Sequence, residues 1–142
     1  MAHAAEIQAL AFSCIDYRLV DDTVRFLDGH IQPKEYDILA LAGASLGAVS
    51  AKFPSSNAAF WDHVDIAKSL HHIKKVVVVD HRDCGAYKVA FGKDFAAAHD
   101  AETTQHRNVM MELKAALAKK HPDLGSELYL MSLDGKAEPI QS

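Results

Sequence analysis

The sequence has only two cysteines, Cys14 and Cys84, in 142 residues. That excludes a small secreted scaffold held together by several disulfides. No apolar run approaches the ~20 residues that a membrane-spanning helix needs. The opening residues, MAHAAEIQAL, lack a charged leader followed by a long apolar core, so no secretory signal is read. Two cysteines without such a signal fit a reducing cytoplasm. Positive charge is not in excess: 15 Lys and Arg stand against 19 Asp and Glu, a net charge of -4 that offers no case for nucleic acid. The 4 prolines and 7 glycines nowhere gather into a linker, and there is no repeat or low-complexity stretch. Residues 1–142 therefore read as one domain. A chain of this size buries roughly 70% of its unfolded surface. It needs neither metal nor disulfide merely to stay folded.

The patterning alternates between strand-like and helix-like segments, which predicts an α/β fold with a mainly parallel, four-stranded sheet flanked by helices. Strands are expected at residues 6–13, 36–42, 76–80 and 127–133. Helices are expected from Asp21 to a stop at Gly29, over 58–72 with N-caps among Ser55, Ser56 and Asn57, over 85–92, and over 103–120. Residues 93–100, KDFAAAHD, read as a short turn or helix. Four consecutive valines, Val76, Val77, Val78 and Val79, are too β-branched for a helix and too apolar for a loop. They predict a strand buried on both faces.

The chemistry-bearing residues follow two of these strands. Cys14 closes the first, opening the segment Cys14-Ile15-Asp16-Tyr17-Arg18. His81 and Cys84 follow the valine strand, in the segment His81-Arg82-Asp83-Cys84-Gly85. In open parallel sheets, sites lie just beyond the carboxyl ends of strands where the winding direction reverses. If the first and third strands are neighbours, Cys14 stands at one lip of that crevice, and His81 and Cys84 at the other. Two thiols and an imidazole suit a tetrahedral zinc ion. Three protein ligands leave the fourth position for water or substrate, which is the catalytic type of site. Asp16, beside such a water, would be a functional partner.

Blander readings compete. A buried cysteine and a satisfied histidine would also explain the H-x-x-C pair, and Cys14 and Cys84 could form a disulfide. A phosphatase-type thiol is excluded, since the sixth residue after each cysteine is Ala90 or Val20 rather than arginine. Gly43 and Gly47 lack the Lys-Ser/Thr of a P-loop and read as close backbone packing. His63, His71, His72, His99, His106 and His121 read as surface or boundary residues, with His71 and Trp61 placed in the core or an interface.

The two segments resemble the β-class carbonic anhydrases, which carry C-x-D-x-R after the first strand and H-x-x-C-G after the third. The order of strands and helices is similar across most of the chain. The resemblance implies zinc held by Cys14, His81 and Cys84. It also implies an Asp16–Arg18 dyad that orients a zinc-bound hydroxide, reversible hydration of carbon dioxide to bicarbonate, and a homodimer or larger assembly. Two departures stand out. Where the family carries Arg-Asn-Ala-Gly, this chain has Ala40-Leu41-Ala42-Gly43, and only 13 residues precede Cys14. The apolar Ala40 and Leu41 would suit carbonyl sulfide or carbon disulfide as well as carbon dioxide. A non-catalytic zinc scaffold, with Asp16 closing the metal shell, is the further alternative.

Overall fold

The computed structural model describes residues 6–95 and 97–141. The first five residues of the N-terminal stretch and Ala96 of the 93–100 segment lie outside them. Five strands form one sheet: β1 Ala9–Ser13, β2 Tyr36–Ala40, β3 Lys75–His81, β4 Gly125–Met131 and β5 Ala137–Pro139. Their order is β2-β1-β3-β4-β5. The first four are parallel, and β5 adds a short antiparallel edge to the four strands expected, pairing Met131 with Ala137 and Tyr129 with Pro139. β1 and β3 are neighbours, with Ser13 opposite Val79. The chain thus winds one way to β2 and the other way to β4, which places the reversal between their carboxyl ends.

The helices are α1 Val20–His30, α2 Ser45–Val49, α3 Pro54–His71, α4 Gly85–Phe91 and α5 His99–Lys120, with a 3-10 turn at Tyr17–Leu19 before α1. Alternation along the buried strands decides which face each residue serves. Leu10, Phe12, Val76, Val78 and Leu128 point to the side where Phe60, Val64 and Ala67 of α3 and Met110, Leu113 and Leu117 of α5 pack. Ala9, Ala11, Val77, Val79 and Met131 face Leu19, Leu27 and Ile31 on the other side. All four valines are buried, as expected of a central strand covered twice.

Several boundaries differ from expectation for local reasons. α3 begins four residues early because Pro54 fits its first turn, whose free N–H positions need no donor. Asn57 is inside the helix, and its Nδ2 donates to the carbonyls of Gly47, Ser50 and Phe53. α5 starts at His99, with Asp100 and Glu102 favouring its first turn. The five-residue α2 was not anticipated. It sits where Gly43 and Gly47 were read as close packing, and Gly47 does pack closely, since a Cβ there would lie 2.8 Å from the Ala42 carbonyl oxygen. Among the described residues, no helix is long and apolar enough to cross a membrane.

Candidate metal centre

β1 ends at Ser13 and β3 at His81, so two adjacent strands deliver their following residues to the same edge of the sheet. The Sγ atoms of Cys14 and Cys84 and a ring nitrogen of His81 all lie within 4.8 Å of one another. A tetrahedral ion with bonds of about 2.0–2.3 Å would hold such donors roughly 3.5–3.8 Å apart, a short side-chain adjustment away. His81 and Cys84 are buried, Cys14 is half-buried, and both cysteines are free thiols. The disulfide reading is not realised.

The imidazole is prepared for coordination. His81 Nδ1 donates to the Arg82 carbonyl oxygen at 2.7 Å, which leaves the lone pair on Nε2. Nε2 is buried and has no hydrogen-bond partner, the sole such side-chain nitrogen or oxygen noted among the described residues. An orphaned buried nitrogen facing two sulfurs suits a metal ligand better than a satisfied core histidine. The thiols behave as one unit. The hydrogen bond between them lowers the Cys14 pKa and, together with burial, raises that of Cys84. The Gly43 N–H also supports the Cys14 sulfur, at 3.3 Å. Burial pushes the His81 imidazole down, but the Cys14 sulfur, the Arg82 carbonyl and Asp16 outweigh it and raise its pKa. Thiols held in this way would lose their protons to solvent as a dication binds.

Asp16 and Arg18 stand at the mouth. Asp16 Oδ2 lies 3.6 Å from His81 Nε2. Arg18 grips the carboxylate with Nη2 to Oδ2 at 2.7 Å and Nε to Oδ1 at 3.1 Å, and its backbone N–H adds a bond to Oδ1 at 2.9 Å. The Arg18 guanidinium pulls the Asp16 pKa down to about 2, so it is ionised at any neutral pH. On the far side of Cys14, an apolar recess of about 220 Å³ is lined by Ile15, Val20, Val24, Ile38 and Ala40.

The structure thus brings together all five residues singled out from sequence. A further assembly lies behind these residues and was not among those read from the sequence. Asp80, one residue before His81, is fully buried and accepts from the Ser45 N–H at 3.0 Å, Ser45 Oγ at 2.7 Å, Tyr87 OH at 2.8 Å and His106 Nδ1 at 2.7 Å. It ties α2, α4 and α5 to the strand that carries His81. His106 is therefore a core residue at 1% exposure, not the boundary residue expected. The available signal was Asp80 itself, a carboxylate directly after four buried valines, which requires buried donors.

A sequence-family model described as "putative carbonic anhydrase" matches residues 4–116. Uncharacterised proteins of Rickettsia conorii and Rickettsia bellii are each 33% identical over 135 residues, 95% of this chain and 73% and 82% of theirs. Among solved structures, the carbonic anhydrase from Streptococcus mutans superposes with a TM-score of 0.66 at 17% identity, covering 99% of this chain and 86% of that one. A structure from a study of two tetrameric β-carbonic anhydrases of Sordaria macrospora gives a TM-score of 0.59 at 15% identity, covering 99% and 84%. At such identities the likeness concerns the fold, whereas the family match covers most of the sequence. This chain belongs to that family of putative carbonic anhydrases, and its fold is that of the β-carbonic anhydrase structures it superposes on.

Proposed function

We propose that the protein is a zinc-dependent carbonic anhydrase that interconverts carbon dioxide and bicarbonate, with Cys14, His81 and Cys84 as metal ligands and Asp16 and Arg18 as the catalytic pair. The observation that carries this reading is the convergence of two thiols and an orphaned imidazole nitrogen beside a carboxylate already clamped by arginine. Two sulfurs and one nitrogen are a donor set that suits zinc. Zinc held there would supply a hydroxide at neutral pH by lowering the pKa of water to around 7.

The remaining work falls to the chain. Asp16, ionised, can only accept hydrogen bonds. It would accept a hydrogen bond from a hydroxide held there, so that an oxygen lone pair is left free to face the carbon of the substrate. Arg18, donating to the carboxylate from both Nη2 and Nε, would keep it in that role and oppose its collapse onto a bound metal. This grip also weighs against the scaffold reading, in which Asp16 would fill the fourth position. The apolar recess beside Cys14 supports small, uncharged, linear substrates. It favours a second reading as well, hydrolysis of carbonyl sulfide or carbon disulfide by the same residues.

We further propose a homodimer or larger homo-oligomer. Ile15, Val20, Val24 and Ile38 all line the recess at the β2 edge and are 39% to 61% exposed, an apolar patch that a partner subunit could cover. The free thiols are in keeping with a cytoplasmic setting. Stopped-flow hydration of carbon dioxide by the zinc-loaded protein tests the proposal. Turnover well above the buffer rate is expected. A zinc-loaded protein inert to carbon dioxide but active on carbonyl sulfide would select the second reading.

A further inference from the structure

The four-residue segment 81–84 holds two proposed ligands, and its two intervening side chains point in different directions. Arg82 turns inward. It donates to Glu102 Oε1 at 3.1 Å, Thr103 Oγ1 at 2.7 Å, Glu138 Oε1 at 2.8 Å and the His99 carbonyl at 3.2 Å, and so anchors the segment to α5 and β5. Asp83 turns toward the mouth of the site. Its backbone has φ of 56°, in the left-handed region, and its N–H is fixed by Glu102 Oε2 at 2.7 Å. Its Oδ2 accepts from Arg18 Nη1 at 3.0 Å, its carbonyl oxygen from Arg18 Nη2 at 3.0 Å, and its Oδ1 from Lys88 Nζ at 2.6 Å.

Arg18 is therefore shared. One edge of the guanidinium holds Asp16, and the other is held by Asp83, 65 residues away in sequence. Without the second contact, Arg18 and Asp16 are bound only to each other, two residues apart on one partly exposed turn. A pair of that kind can move as a unit. With it, the carboxylate of Asp16 is referenced to the same segment that presents His81 and Cys84.

We propose that Asp83, neutralised by Lys88, is a positioning residue: it fixes Arg18 and thereby the distance of the Asp16 carboxylate from the metal donors. This rests on the metal centre proposed above. The charges support the arrangement. Asp16 and Asp83 alternate with Arg18 and Lys88 in one chain of contacts, so Asp83 does not leave a net negative charge that would draw Arg18 off Asp16.

The test is a double-mutant cycle on the zinc-loaded protein. Asp83→Gly is the deletion of choice, because glycine keeps the positive φ without strain and retains the carbonyl that accepts from Arg18. Asp83→Gly is expected to lower kcat roughly 10-fold with KM little changed, the scale of a misplaced reacting group. Asp83→Asn keeps an oxygen acceptor for Nη1 and tolerates the left-handed backbone, so it should restore most of the rate. In an Asp16→Asn background, Asp83→Gly should cost nothing further, because it acts only through Asp16. Multiplicative losses in the double variant, or no rescue by asparagine, would overturn the proposal. A second readout is independent of turnover. Cobalt substituted for zinc should show an absorption spectrum altered by Asp83→Gly when Asp16 is present and unaltered when residue 16 is asparagine. Identical spectra for the wild type and Asp83→Gly would refute the positioning role even if the protein does not hydrate carbon dioxide, whereas loss of carbon dioxide activity in the wild type alone would refute only the functional reading.

Discussion

Gly43→Ala perturbs the turn that presses a backbone N–H against Cys14. Gly43 has φ of 81°, and a Cβ built there would meet Leu46 Cβ at 3.0 Å and Ala86 Cβ at 3.1 Å. A left-handed conformation costs an ordinary L-residue about 1–2 kcal/mol. Forcing a methyl between two packed side chains adds about 1–3 kcal/mol, as either α2 or α4 must give way. The total is about 2–5 kcal/mol. At about 3 °C per kcal/mol for a domain of this size, melting should fall by about 6–15 °C. The assay is thermal unfolding of the metal-free protein, since bound metal would add its own stabilisation and blur the comparison. Gly29→Ala is the control of opposite sign. Gly29 lies in α1 with nothing within 4 Å of the added Cβ, so alanine should stabilise by about 0.5–1 kcal/mol and raise the melting point by a few degrees. If Gly43→Ala melts within about 2 °C of the wild type, the steric and conformational argument fails. The zinc-loaded variant should also release metal faster, because the N–H to Cys14 Sγ contact of 3.3 Å cannot survive a shifted turn.

Asp16→Asn should keep zinc and melt near the wild-type temperature, while hydration of carbon dioxide falls roughly 10²-fold or more, the loss expected of one preorganised polar partner; wild-type turnover in that variant would refute the dyad. Arg18→Ala should lose activity with metal affinity held or raised, because the freed carboxylate can reach the metal; chelator competition reads this, and a marked loss of affinity would contradict it. Glu127 tests pH dependence. Burial alone would raise its pKa, but Lys75, His30 and Tyr129 together hold it down to about 2. The unfolded value is about 4.3, so its stabilisation is complete above that pH and disappears as pH falls toward 2. The melting gap between the wild type and Glu127→Gln should therefore close as pH falls from about 4.3 toward 2, and a gap that grows across that range would reverse the sign. Sedimentation at micromolar concentration should show at least a dimer; Ile38→Lys should weaken it, and a monomeric wild type would remove the role given to the β2 edge.

Legibility of the fold depended on how far each feature is local. The valine strand and the amphipathic α5 were readable because burial on two faces and on one face leave different periodicities in the sequence. The adjacency of β1 and β3 was a condition of the sequence reading, not a result of it, and the strand pairing itself supplies it. By contrast β5, Ala137–Pro139, has no strand-forming composition of its own and exists because β4 offers it hydrogen-bond partners. The short helix α2 fits its surroundings through Gly47, close against the Ala42 carbonyl, and through the Asn57 side chain that donates to the Gly47 carbonyl, contacts that periodicity does not encode. At the site, Cys14, Asp16, Arg18, His81 and Cys84 were legible because their types and spacing announce chemistry. Asp83 and His106 were not, since each matters only through partners 65 and 26 residues away, Arg18 and Asp80 respectively.

X-ray absorption at the zinc edge of the loaded protein tests the central claim most directly. The account predicts one zinc per chain with two sulfurs at about 2.3 Å, one nitrogen at about 2.0–2.1 Å and one further light atom. It also predicts that Cys14→Ser removes one of the two sulfurs or abolishes binding. A shell with fewer than two sulfurs in the wild type, or one unchanged in Cys14→Ser, would contradict a centre shared between the ends of β1 and β3.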